Sequence, residues 1–258
     1  MIRALGLAVV ILTSFSSSAA DPCAMQRQNA SALPYSAGEE LSYRMEVRGV
    51  SAGRAHFQLG GLERTPYGIG YPIRADIETN AYAAFVGDMA GQLVSILDPR
   101  SQQSRYYRFR LQRQKSVISD RAVRNKDTIR FTHAKGSRKK EGALRGSLID
   151  PVQLLYGLRD LRLQKGQQVC LRMYAYSRLN RLRGRVIGKE TIDTAAGPVD
   201  AWRVELFLKR GAKSYPLHLW VGPEASRPLW RAELHHPKGV LSVHLDRHIL
   251  GGKSIFRL

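Results

Sequence analysis

Arg181, Arg183 and Arg185 are the residues whose type and spacing most plainly suit a chemistry. Alternate positions on an extended segment project to one face, and Leu182 and Val186 take the other. A guanidinium is a planar fork that matches phosphate or carboxylate oxygens two at a time. Arg108 and Arg110 repeat the arrangement against Tyr107, Phe109 and Leu111, and Arg138, Lys139 and Lys140 read as a basic loop flanked by glycines. These eight residues are the candidate contacts to an anionic partner. Near the chain end, His235, His236, His244 and His248 gather around Asp246, the residue types of a metal site. A metal needs three converging ligands. On an antiparallel hairpin His236 and His244 need not be neighbours, so these histidines read as exposed polar-face residues and no metal or cofactor is assigned. There is no nucleophile elbow, phosphate-cradling glycine loop or paired-histidine zinc motif, and the chain reads as non-enzymatic.

The elements that must position these groups follow from composition and period. Lys and Arg number 41 against 21 Asp and Glu, a net charge of +20 on 258 residues. The excess is confined. Residues 100–145 carry fifteen basic against three acidic side chains, and residues 159–189 carry nine against one. Such clustering points to an electropositive surface for phospholipid headgroups, lipopolysaccharide phosphates, or an acidic protein or glycan. The plain alternative is a solvated exterior in an arginine-biased chain, since 30 of the 41 basic residues are Arg. Nucleic acid is set aside because residues 1–20 read as a secretory signal: Arg3, an apolar Ala4–Phe15 stretch, then Ser18-Ala19-Ala20. Removing it leaves 238 residues placed in the periplasm, with no second apolar run long enough for a transmembrane helix. In that oxidising compartment Cys23 and Cys170 are expected to pair, closing a loop worth roughly 4–5 kcal/mol of denatured-state entropy.

A lead segment over 21–34 precedes a single domain over 35–250, with 251–258 as a tail. Period-two alternation recurs through the domain, beginning with Leu41, Tyr43, Met45 and Val47 against Glu40, Ser42, Arg44 and Glu46. A closing hairpin turns at Pro237-Lys238-Gly239. One segment breaks the rhythm. Asp150-Pro151 is a capped helix start, and Leu154, Leu155, Leu158 and Leu161 form an apolar stripe that leaves Arg159 and Arg162 off it, with Gly166 as the stop. A second, shorter helix is weakly signalled over 80–85. The expected fold is mainly β: a strongly curved antiparallel sheet or open barrel with one amphipathic helix, about 150–163, packed on its concave side.

The motifs resemble those of a known family. Pro34-Tyr35 with Gly38-Glu39-Glu40-Leu41-Ser42-Tyr43, then Gly49-Val50-Ser51-Ala52-Gly53-Arg54-Ala55, resembles the opening of the exported proteins catalogued as domain of unknown function 3108. Asp150-Pro151 through Leu154-Leu155-Tyr156-Gly157-Leu158-Arg159 is similar to that family's central helix, and Thr194 to Trp202 and Leu217 to Leu229 to its later strands. The resemblance implies a periplasmic, curved antiparallel sheet around a helix and supplies no catalytic residues. The basic excess is not part of it. Two functional expectations follow: an envelope protein holding an anionic amphiphile on a curved β-surface with arginines at its headgroup, or a structural adaptor docking an acidic partner with no ligand cavity.

Overall fold

The computed structural model describes residues 33–80, 89–113, 116–146, 148–223, 225–251 and 253–257. The expected signal segment, Cys23 and most of the helix anticipated over 80–85 lie outside them. The elements are β1 (Glu40–Val47), β2 (Val50–Leu59), β3 (Glu63–Thr65), β4 (Gly68–Thr79), β5 (Met89–Leu97), β6 (Ser104–Arg113), β7 (Ser116–Asn125), β8 (Thr128–Lys135), β9 (Arg138–Arg145), α1 (Pro151–Arg159), β10 (Gln168–Ala175), β11 (Arg178–Thr194), β12 (Gly197–Arg210), β13 (Lys213–Val221), β14 (Leu229–His236), β15 (Gly239–Leu250) and β16 (Lys253–Arg257).

Two antiparallel meanders form one sheet. The first runs from β1 to β9, the second from β10 to β15, and β15 pairs with β1, leaving β9 and β10 as the two ends. Short strands β3 and β16 add to β4 and β15, so the segment read as a tail is largely a strand. The connection between meanders carries α1 over the concave side, against β4, β5 and β10. The sheet is open, and side chains bridge its ends. Tyr174 of β10 donates to Asp120 of β7 at 2.8 Å, and the Tyr176 amide donates to the other carboxylate oxygen at 2.8 Å. The chain entering α1 threads the same gap: Leu148 accepts from Ser104 N at 2.8 Å and Ile149 from Tyr174 N at 2.7 Å. This is the curved, open antiparallel sheet with one helix that the alternation implied.

Burial follows the period. Leu41, Tyr43, Met45 and Val47 of β1, and Leu182 and Val186 of β11, all face the core, where each such side chain contributes about 1.5–3 kcal/mol. Strands β7 and β9 have no clear apolar alternation. In β7 an acid, Asp120, takes an inward position between Ile118 and Ala122, and β9 is an end strand without a buried residue. Arg138, Lys139 and Lys140 therefore lie on strand β9, not in a loop.

The helix is shorter than expected. Asp150 caps it, accepting from Val152 N at 2.8 Å and Gln153 N at 2.9 Å. It ends at Arg159, with Asp160 at φ −90, ψ 0 as C-cap. Gly166, at φ +82, serves the turn into β10 instead, donating to Val186 O at 2.8 Å. Leu154, Leu158 and Leu161 are buried and Arg162 is exposed, as the stripe required, but Arg159 is wholly buried. The reason is that α1 is enclosed all round, every residue from Val152 to Arg159 being buried. Its polar side meets the 34–39 segment and the 226–227 loop instead of water.

Candidate functional site

The side chains best placed to meet a partner lie on the outer face of the sheet at its two ends. On β11, Arg181, Arg183 and Arg185 are exposed, with Leu182 and Val186 turned to the core. Their cross-strand partners on β12 are Lys209, Phe207 and Glu205. Phe207 is 50% exposed directly opposite Arg183, an aromatic ring set among cations on open surface. Glu205 does not neutralise the group, because it is tied to Arg203 at 2.6 Å. On the β10 side Arg183 faces Cys170, so the outer surface also carries that cysteine. Its expected partner, Cys23, lies outside the described residues.

At the other end, Arg108 and Arg110 of β6 are exposed, and Arg108 stands opposite Arg121 of β7, a like-charge cross-strand pair. Arg121 crosses the Tyr106 ring 5.7 Å from its centroid and donates to the Tyr67 hydroxyl at 3.3 Å, while Tyr67 and Tyr106 stack at 4.0 Å. Arg121 and Arg130, with Glu141, border an open depression of about 530 Å³ over β7, β8 and β9. Lys139 pairs with Glu141 at 2.8 Å, and Lys140 lies 5.8 Å from the Phe131 ring centroid. The three acids of this segment leave the outer arginines alone: Asp120 points inward, Asp127 sits in a turn and Glu141 is held by Lys139. Among the described residues no carboxylate pairs with Arg108, Arg110, Arg181, Arg183 or Arg185. The two groups are not one continuous patch. Strands β6 and β11 lie nine places apart in the sheet order, and the groups flank opposite sides of the gap between β9 and β10.

The histidines scatter. His244 lies 3.7 Å from Glu46 on the outer face, and His236 stacks on Tyr215 with ring centroids 5.5 Å apart. His248 is a correction: it is buried, its Nε2 2.8 Å from Glu39 Oε1. The register between β1 and β15 shifts between Ser42 and Tyr43, where Leu245 and then Arg247 are the partners. That bulge at Asp246 flips the parity, so Leu245 and His248 both point inward. His235 stays outside and meets a residue that no hairpin pattern links to it, His218 of β13, at 4.6 Å between ring centroids.

Buried polar groups hold the scaffold, and they fall on the motif residues. Arg159 grips Glu39 bidentately at 2.7 and 2.6 Å and sends its remaining donors to the carbonyls of Pro34, Ser226 and Arg227. Burial raises the Glu39 carboxyl, yet the hydrogen bonds and charges of Arg159 and His248 win and hold it below the usual range. Asp150 also accepts from Ser95 at 2.6 Å and from Ser104, but complete burial still pushes its carboxyl up. Gly53 has φ +153, and an added Cβ would fall 2.1 Å from the Glu78 carbonyl oxygen, so β2 admits no side chain there.

In shape the chain is similar to a beta-barrel-like protein of domain of unknown function DUF1849 from Brucella abortus, with a TM-score of 0.57 and 11% identity over 85% of this chain and 99% of that one. A protein with a YmcC-like fold from Bacteroides fragilis aligns with a TM-score of 0.39 and 11% identity, over 84% of this chain and 98% of that one. No functionally curated protein has significant sequence similarity to the chain. The motif residues that cap α1, pair it with Glu39 and shape β2 fall in or beside the span 42–246, which matches the family model described as protein of unknown function (DUF3108), and the chain belongs to that family.

Proposed function

We propose that this is an exported, non-enzymatic protein of the cell envelope that docks on an anionic amphiphile, a phospholipid or lipopolysaccharide-like molecule, through the outer face of β11 and β12. The observation that carries the reading is Phe207, 50% exposed and flanked by Arg181, Arg183, Arg185 and Lys209. An aromatic ring suits the boundary between headgroup and acyl chain, and guanidinium forks suit the phosphates. The interior supports an outer rather than an enclosed contact, because Leu154, Tyr156 and Leu158 of α1 join the sheet residues in one continuous buried core. The signal-like residues 1–20 support the compartment.

The test is co-sedimentation with vesicles of phosphatidylglycerol and phosphatidylcholine against phosphatidylcholine alone. Binding is expected to prefer the anionic vesicles and to weaken as salt rises past the point where the screening length falls to about 8–10 Å. Each basic residue near the surface is worth about 1 kcal/mol, so changing Arg181, Arg183 and Arg185 to Glu is expected to lower affinity at least about 100-fold. Phe207→Ala is expected to weaken binding while leaving the salt dependence. Vesicle binding indifferent to salt and to the triple change overturns the reading. Binding to an acidic protein or glycan without vesicle binding transfers it to the adaptor alternative.

A further inference from the structure

We propose that His218, Glu233 and His235 form a zinc-binding site on the outer face of β13 and β14, with a fourth coordination position open to solvent. His218 is the register partner of Glu233, and His235 follows Glu233 by two residues on the same strand, so all three project from one face. One ligand atom from each lies within 4.8 Å of the other two. A tetrahedral zinc with bonds of about 2.0–2.1 Å places its ligand atoms about 3.4 Å apart. His235 Nε2 and Glu233 Oε2 are already 3.5 Å apart, so only the His218 ring has to swing inward.

Three further features favour a cation. His235 Nε2 is buried without a hydrogen-bond partner, an orphaned ring nitrogen aimed into the cluster. Arg231 binds the Oε1 of Glu233, which orients the carboxylate and leaves Oε2 toward the imidazoles, the kind of outer support that ligating carboxylates require. The His218 and His235 rings lie 4.6 Å apart between centroids, so the two imidazoles are already gathered beside the carboxylate. Of the two nearby arginines, Arg203 is bound by Glu205 at 2.6 Å, and Arg231 shares the Glu233 carboxylate with the site. The platform is firm: the Trp220 ring lies under both guanidinium groups, at 5.8 Å from Arg203 and 5.0 Å from Arg231. Two imidazoles and one carboxylate suit zinc better than the hard cations calcium or magnesium.

The experiment is calorimetric titration of the purified, chelator-stripped protein with zinc chloride, with cobalt chloride as the spectroscopic probe of geometry. The expected result is one equivalent of zinc, an intense four-coordinate cobalt spectrum, and a zinc-dependent rise in melting temperature. His218→Gln and His235→Gln are expected to abolish the one-equivalent isotherm, and Glu233→Gln to weaken it at least tenfold. The two histidine variants should leave the zinc-free melting temperature in place, because both side chains are partly exposed, while Glu233→Gln should lower it slightly by breaking the pair with Arg231. His236→Ala and His244→Ala are expected to bind as the unmodified protein does. Absence of saturable binding overturns the proposal. So does one-equivalent binding that survives in the His218→Gln/His235→Gln double variant, or that is lost with His236 or His244 instead.

Discussion

The outer face of this sheet uses arginine in two ways, depending on whether a carboxylate follows it along the strand. On β1, β4, β12 and β14 an arginine is followed two residues later by an acid on the same face. Arg44 binds Glu46 at 2.8 Å on β1, Arg74 binds Asp76 at 2.9 Å on β4, Arg203 binds Glu205 at 2.6 Å on β12, and Arg231 binds Glu233 on β14. The Arg108–Arg110 run of β6 and the Arg181–Arg185 run of β11 have no such companion acid, and cation faces cation, Arg108 opposite Arg121 and Arg181 opposite Lys209. Like charges directly opposite cost stability, by about 0.2–1 kcal/mol a pair. A paired arginine is thus neutralised within one repeat of the pleat, whereas an unpaired run keeps charge available to something outside the molecule. Residue type is the same in both regions. The spacing to the nearest carboxylate is what separates a surface that is complete in itself from one that is not.

The largest effect is expected where the arginine–carboxylate pair is taken inside. Arg159 and Glu39 are the same two groups that face each other on β12 and β14, here with no solvent exposure at either side chain. Removing one partner from a buried pair leaves an unpaired charge, so Arg159→Leu is expected to lose about 3–5 kcal/mol by denaturant unfolding. Breaking a central surface pair such as Arg74–Asp76 is expected to cost about 0.2–1 kcal/mol. Adding Glu39→Gln to Arg159→Leu should recover part of the loss, since the stranded carboxylate is then gone. Equal costs for the buried and the surface pair would remove the distinction between them.

A smaller effect, with a pH signature, comes from the one acid at the β6–β8 end that is turned inward. Burial outweighs the hydrogen bonds of Tyr174 and Tyr176 and the attraction of His133, and pushes the Asp120 carboxyl above its ordinary 3.8. The folded protein therefore binds this proton more tightly than the unfolded chain does. The group's contribution is fully present below the unfolded value and is lost as pH rises through the folded one. Asp120→Asn carries no charge to bury and can still accept from the Tyr176 amide. Its stability relative to the unmodified protein is expected to rise as pH climbs above the ordinary carboxylate value of about 4, by up to about 1.4 kcal/mol for each unit of pKa displacement it removes. A relative stability that falls as pH climbs would mean that Asp120 is held as a paired anion, like Glu39.

Much of the fold was legible because burial obeyed the pleat. The alternation on β1, β2, β6 and β11, the Asp150-Pro151 helix start and the outward arginines all follow from period alone. The failures share a cause. Arg159 and His248 are charged or titratable residues at inward positions, each satisfied by a partner remote in sequence, and local pattern assigns such residues to solvent. Strand β9 carries no apolar period because it is a sheet end. The relation between β6 and β11 was equally out of reach, since it depends on β15 pairing with β1 and on where the two meanders stop. His218 could have been found only by asking which strand lies beside the last hairpin.

The smallest effect is a gain where breaking the buried pair gives a loss, and it tests the comparison most directly. Arg181 is exposed and unpaired with Lys209 opposite it across β11 and β12. Arg181→Glu replaces a cross-strand repulsion with an attraction, at a position whose side chain opposes the core face. The variant is expected to gain about 0.2–1 kcal/mol in denaturant unfolding at low salt, and the gain should shrink as salt is added. The corresponding change at a paired arginine, Arg203→Glu, is expected to lose stability, because it sets a third carboxylate beside Glu190 and Glu205 and removes the cation beside Trp220. If both variants lost stability alike, the unpaired arginines would be serving the fold as the paired ones do. A gain at Arg181 together with weaker binding to anionic vesicles would identify a residue kept against stability, which is how a surface shaped for a partner differs from one shaped for the sheet.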